Sequence, residues 1–253
     1  MMCVAVWKHG WASWLISGKS MEKRFSHDWF LDYPPPLREA VVDIAKRRKL
    51  PLYVAGGAVR DWMRGLASTD LDLTVPCGAV AWARELASLL GGAFVLLDAG
   101  EDVARVVWQG CTIDISAFRQ GSRSIEEDLS RRDFSINAMA VEISPATGKL
   151  VPQPIIDPTG GAADLACREV RMVAKSTFVD DPLRMLRAVR FMVTLGFIVE
   201  PGTRHAINRH CELIQRVAKE RVSHELELIF SSTASHAAMV SLIETGLMGH
   251  ILP

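Results

Sequence analysis

Asp70-Leu71-Asp72-Leu73 alternates carboxylate with leucine at a period of two. That period belongs to a strand with one buried face, because residues two apart in an extended chain point the same way. Asp70 and Asp72 aim together, while Leu71 and Leu73 aim into a core. Adjacent carboxylates repel unless a cation sits between them. Mg²⁺ is the natural candidate, a hard ion that takes carboxylates, waters and substrate phosphates.

Gly56-Gly57-Ala58-Val59-Arg60-Asp61 lies just upstream. The apolar run 52–55, bounded by Pro51 and Gly56, predicts a buried strand, and 58–64 predicts a helix closed by Gly65. Gly56 and Gly57 at such a junction serve either as a plain turn or as a cradle whose backbone N–H groups approach a triphosphate. Arg60 can reach the same phosphates. Followed by the paired aspartates, the turn reads as part of a nucleotidyl-transfer site. The two carboxylates would hold metal ions that activate an attacking RNA 3′-hydroxyl and neutralise the leaving pyrophosphate. Asp114, in Thr112-Ile113-Asp114-Ile115, has the same alternating context; it either assists the metal pair or bonds neighbouring backbone.

The 253 residues predict one or two domains. Apolar residues at 49% and charged residues at 23% indicate a soluble, globular chain. Basic and acidic residues balance at 29 each, which argues against a polybasic nucleic-acid binder but not against a local basic patch. Cys3, Cys77, Cys111, Cys167 and Cys211 have no zinc-site or redox-motif spacing and read as reduced thiols, small buried hydrophobes of a cytoplasmic protein. Met1 to Ser20 is apolar and tryptophan-rich, interrupted by Lys8, His9 and Lys19. It resembles neither a secretory leader nor a membrane span. Residues 1–30 are therefore expected to be an extension outside the fold, with Met21 as an alternative start.

Further along, helical spacing is expected over 37–49 and 79–90, and strands over 93–98, 103–108 and 111–116 with antiparallel links. Residues 117–124 read as a mobile loop. A charged helix is expected from 125 to 132, a strand ending at 143, turns at 145–148 and 157–161, a short helix, and a last strand over 169–173. Beyond Ser176 the pattern becomes helical: 180–195 with Pro182 in its first turn, then 203–215, 219–230 and 235–244. The boundary between a mixed half and a helical half falls near residue 175.

Two further stretches carry chemistry. In Arg131-Arg132-Asp133-Phe134-Ser135-Ile136-Asn137-Ala138, Arg132 can bind phosphate bidentately, while Asp133 and Asn137 either hold ribose hydroxyls or bond local backbone. In the segment from Asp180 to Phe191, Arg184, Arg187 and Arg190 step by three along one helix. Asp181 accepts and Arg184 donates, so together they can address the Watson–Crick edge of a base; the plainer alternative is a helix cap and a solvated basic face.

Together these motifs resemble the class II tRNA nucleotidyltransferase (CCA-adding enzyme) and bacterial poly(A) polymerase family. The likeness runs from about residue 37 to the end. It implies an α+β fold: a polymerase-beta-type head over 31–175, with a small mixed, largely antiparallel sheet, followed by an all-helical neck over 176–253. It implies Mg²⁺-dependent transfer of CMP or AMP from CTP or ATP to the 3′ end of tRNA, with no membrane involved. By position, Gly57, Arg60 and Arg132 would bind nucleotide, Asp70 and Asp72 the metal, Asp181 and Arg184 the incoming base, and Arg187 and Arg190 phosphate or base. The family usually has Glu at the place of Asp180 and Thr at that of Ser135. It also continues past the neck into helical domains that grip tRNA, which this sequence does not include. Poly(A) synthesis shares the same motifs. A non-catalytic RNA-binding remnant and a small-molecule nucleotidyltransferase are the other readings; the first would have no reason to keep two repelling carboxylates, and the second would not need the Arg184 helix.

Overall fold

A computed structural model describes residues 28–252 apart from 69, 145, 148 and 151–154. The expectations for 1–27, and for the ends of the 145–148 turn, lie outside the described residues.

Proline starts the first helix. Pro35 occupies the first turn of α1 (Pro35–Arg48), where its missing N–H costs no hydrogen bond. The basic last turn, Lys46 to Arg48, suits the helix dipole, and Lys49 closes it in the left-handed conformation. Chain order continues with β1 (Leu52–Ala55), α2 (Gly57–Met63), β2 (Asp70–Val75), α3 (Ala79–Leu90), β3 (Ala93–Asp98), β4 (Val103–Trp108) and β5 (Cys111–Ala117). Then come α4 (Ile125–Leu129), β6 (Ala140–Ser144), β7 (Lys149–Leu150), α5 (Gly161–Cys167) and β8 (Glu169–Val170). The remainder is α6 (Thr177–Asp180), α7 (Arg184–Leu195), β9 (Ile198–Val199), α8 (Pro201–His210), α9 (Lys219–Phe230), α10 (Ser235–Glu244) and α11 (Leu247–Ile251).

The described strands β1 to β7 form one sheet in the order β3-β4-β5-β2-β1-β6-β7. Every pairing is antiparallel except β2 with β5, which run parallel and place Asp72 directly opposite Asp114. The parallel pair needs a crossover, and α3 with the β3–β4 hairpin supplies it. Leu71 and Leu73 enter the core with Trp82 and Leu86 of α3 and Leu37, Val41 and Ile44 of α1. The same apolar cluster continues without interruption into Phe178, Leu186, Val189, Ile207, Ile229 and Leu242.

Four expectations need correction. Residues 28–30 are not outside the fold: Trp29–Asp32 is a 3-10 turn and Phe30 is fully buried. The helix expected over 180–195 breaks in two. Asp181 is extended (φ −146°, ψ 101°) because the ring of Pro182 disfavours helical backbone before it, and α7 starts only at Arg184. The last strand does not join the main sheet. Its first residues, β8, pair in parallel with β9, so the second half is not wholly helical and is stitched to the first. Within 117–124, Arg119–Gly121 forms a 3-10 turn whose Arg119 N–H donates to the buried Asp128. The cysteine reading divides. No disulfide joins Cys77, Cys111, Cys167 and Cys211, but only Cys111 is buried and Cys77 and Cys167 are exposed.

The N-terminus of α3 is capped from a distance. Gly78 offers no side chain, and Asp102 from the β3–β4 turn accepts from Ala79 N–H at 2.9 Å and Val80 N–H at 2.8 Å. Asp102→Ala is expected to cost about 1–2 kcal/mol, read as a lowered urea midpoint with unchanged slope. The slope stays because the surface exposed on unfolding does not change.

Candidate active site

The site forms where the β1–α2 turn, the exposed end of β2 and segment 131–137 meet. Asp70, Asp72 and Thr74 share one face of β2, opposite Leu71 and Leu73. Asp70 is exposed and Asp72 half-buried, with an Asp72 Oδ atom accepting from Ala58 N–H at 3.3 Å. Burial pushes the Asp72 carboxyl above the usual carboxylate range and the charge of Asp114 adds to this, against the pull of Ala58 N–H and Arg132.

The glycines are required by space. Gly56 has φ +79° and ψ −135°, a backbone region open essentially to glycine alone. A Cβ there would lie 2.9 Å from an Arg132 Nη atom and 3.2 Å from an Asp72 Oδ atom. At Gly57 it would lie 3.3 Å from the same Asp72 oxygen. The turn thus presses bare backbone against one acidic and one basic side chain.

Arg132 is nearly enclosed. It donates from Nε to Asp128 at 3.1 Å and from Nη2 to the Thr74 hydroxyl at 3.0 Å. Burial lowers its pKa, and the charge of Arg119 lowers it further. Asp128, with 0% exposure, also accepts from the Arg119 guanidinium at 3.2 Å. Arg184 lies beside them and donates to the carbonyls of Arg132 (3.4 Å) and Arg131 (3.2 Å). Arg119 and Arg132 therefore share the Asp128 carboxylate, and Arg184 adds a third guanidinium beside Asp133 and Asp181, a concentration of positive charge of the kind a polyphosphate neutralises.

Other anticipated residues carry partners of their own. Arg60 lies against the glycine turn, with an Nη atom 3.5 Å from where a Gly57 Cβ would stand, and bonds Asp61 at 2.8 Å and the Asn137 side-chain oxygen at 2.8 Å. Asp133 is buried and accepts from Phe134 N–H, Asn137 and Arg187. Burial alone would raise its pKa, but Arg187 holds it well below the usual range. The Asp133 carboxylate thus has one local backbone bond, to Phe134, while the Asn137 side chain bonds side chains only, Asp133 and the distant Arg60. Arg187 and Arg190 are not a solvated face. Arg190 pairs with the buried Glu225 at 2.8 Å, and Arg60, Arg187 and Arg190 all lie over the ring of Phe191. Asp181 accepts from Leu183 N–H and from Arg221, and stands outside α7. Asp114 is bound through both oxygens to Arg105, at 2.7 and 2.9 Å, so it orients that guanidinium beside Asp72 instead of completing a metal cluster.

Among the described residues, no group of three or more His, Cys, Asp or Glu is placed to hold a metal ion. The acidic donors at the cleft are thus a pair. A same-face carboxylate pair, one member destabilised by burial, fits a hard divalent cation whose other positions are filled by water and phosphate. No described helix is long and apolar enough to cross a membrane.

Two family models match the chain: the poly A polymerase head domain over residues 52–171, and the probable RNA and SrmB-binding site of polymerase A over 196–253. A CC-adding tRNA nucleotidyltransferase of Synechocystis sp. is 36% identical over 199 residues, covering 78% of this chain and 46% of that protein. An A-adding tRNA nucleotidyltransferase of Deinococcus radiodurans is 37% identical over 205 residues, covering 79% and 44%. A CCA-adding enzyme solved with CTP superposes with a TM-score of 0.76 at 29% identity, covering 91% of this chain and 55% of that one. The chain belongs to the class II tRNA nucleotidyltransferase and poly(A) polymerase family. It spans less than half the length of these two sequence relatives.

Around the paired aspartates, sequence reasoning missed Arg119, Asp128 and Arg105. Asp128 sits four residues before Arg132, one helical turn away, and that spacing is the signal that was available. Arg105 carried no such signal, because its partner Asp114 lies across a hairpin.

Proposed function

We propose that the chain is the catalytic portion of an RNA nucleotidyltransferase that adds CMP, AMP or both to the 3′ end of tRNA. The carrying observation is the convergence of Asp72, the Gly56–Gly57 turn and Arg132, with Asp70 on the same face of β2 as Asp72. In this reading residues 31–175 form the catalytic head and 176–253 a neck that helps bind nucleotide and RNA, in the cytoplasm.

Asp70 and Asp72 would hold Mg²⁺. Bound there, Mg²⁺ supplies Lewis acidity that favours the ionised 3′-hydroxyl and stabilises negative charge on pyrophosphate. The chain's own residues do the positioning. The bare backbone at Gly56 and Gly57 leaves room for a triphosphate. Arg132, with Arg119 beside it, faces the polyphosphate charge, and Asp128 keeps both guanidiniums oriented. Arg184 and Asp181, at the neck side, would meet the base on exchanging their present bonds to the 131–132 carbonyls and to Arg221. The terminal ribose oxygen then bonds to the α-phosphorus as the bond to pyrophosphate breaks. Arg187 with Asp133 holds 131–137 against α7, Arg60 with Asn137 ties that segment to α2, and Arg190 with Glu225 ties α7 to α9.

The test is incorporation of labelled CTP or ATP, with Mg²⁺, into tRNA lacking CCA, ending in CC, or complete. Incorporation on the first or second and none on the third is expected. Long adenylate tails on generic RNA would replace this reading with poly(A) synthesis. No incorporation on any RNA would remove it.

A further inference from the structure

Tyr33 lies outside the matched head domain and nineteen positions before the first matched residue, yet it reaches the acidic pair. Its side chain is buried, with 4% exposure, between Phe30 and Trp62 at ring-centroid distances of 6.3 and 6.4 Å. Packed in this way the ring has little freedom. Its hydroxyl donates to the backbone carbonyl of Asp70 at 2.8 Å. The Ser68 hydroxyl donates to the same carbonyl at 2.8 Å and accepts from Asp70 N–H at 3.1 Å. Asp70 is the first residue of β2, where ladder pairing begins, and its carboxylate is exposed. Without this clamp, only the strand on one side would restrain its backbone.

We propose that Tyr33 is a positioning residue for the divalent cation: by fixing the Asp70 peptide it sets the distance between the Asp70 and Asp72 carboxylates. The inference rests on the metal reading above. A cation gains from a carboxylate pair only when both oxygens are already near its coordination distance, since ordering them at binding costs entropy. An aromatic side chain locked in a core can impose that order on a strand end; a serine hydroxyl at the surface does so less firmly. Head-domain geometry then depends on the 3-10 turn that precedes α1.

The test is Mn²⁺ binding followed by electron paramagnetic resonance, without nucleotide, on the chain and on Tyr33→Phe. The phenylalanine keeps the ring packing and removes the donor. A loss of about fivefold in Mn²⁺ affinity is expected, the size of one net hydrogen bond, measured well below both unfolding midpoints. Transfer activity of the variant should recover at high Mg²⁺, which a general folding defect would not allow. Ser68→Ala, at the cleft rim, should weaken Mn²⁺ in the same direction and remains informative if Tyr33→Phe does not fold. Unchanged affinity in both, or a lowered melting point with unchanged affinity in Tyr33→Phe, would overturn the proposal. If the unsubstituted chain binds no Mn²⁺, the metal reading itself fails, and this inference with it.

Discussion

Asp72→Asn is expected to lower nucleotide transfer on the order of 10³-fold or more while leaving the protein no less stable at neutral pH. The first half follows from the role of Asp72 in the proposed cation site, since a neutral amide is a far weaker ligand for a hard ion and preorganised charge stabilisation dominates such reactions. The second half follows from the direction of its pKa. Burial raises the folded-state value above that of the unfolded chain. The folded state therefore pays for ionising Asp72, and that cost grows as pH rises above the ordinary carboxylate range and is complete above the raised folded value. Removing the charge removes the cost. Thermal unfolding at pH 7 should show a midpoint equal to or above that of the unsubstituted chain, and near pH 3 the difference should vanish. Activity within tenfold of the original would defeat the metal assignment. In the proposed reading Asp72 is costly to the fold and needed for the chemistry, a common trade at catalytic positions.

The second large effect concerns stability. Asp128→Ala should destabilise the protein by about 3–5 kcal/mol, the range for breaking a buried ion pair from one side. Asp128 has 0% exposure and serves Arg132, itself only 10% exposed, together with Arg119. Its removal leaves an enclosed guanidinium next to a second one, with the Thr74 hydroxyl as its hydrogen-bond partner and Asp72 as the nearby opposite charge. Against a typical total of about 5–15 kcal/mol, a loss of that size leaves a marginal fold. Urea denaturation measures it directly. Asp128→Asn keeps an acceptor and should lose less. Equal, small losses in both variants would show that Arg132 is well solvated in the folded chain, contrary to its position.

The paired aspartates, the glycine turn and the strand–helix alternation were readable because each depends on neighbours within a few residues. A period of two puts Leu71 and Leu73 in a core whatever surrounds them, and Pro51 and Gly56 bound β1 by their own backbone limits. Local rules also misled where two of them competed. The helical spacing of leucines from 183 onward ran back through Pro182, although proline constrains the residue before it more strongly than spacing extends a helix, so Asp181 lies outside α7.

Side-chain allegiance was not legible in this way. Arg60, Arg187 and Arg190 have the charge and reach to bind phosphate, and only Arg60 has an opposite charge beside it in the chain, Asp61. Their distant partners are Asn137, Asp133 and Glu225, which stand 77, 54 and 35 positions away. Likewise the contact of Tyr33 with Asp70 spans 37 positions. Backbone conformation is settled largely by adjacent residues, whereas a charge chooses among every opposite charge and carbonyl that folding brings within a few ångströms. Only the packed sheet and the docked α7 determine that set, so the residue types near Asp72 could be named in advance while their wiring could not.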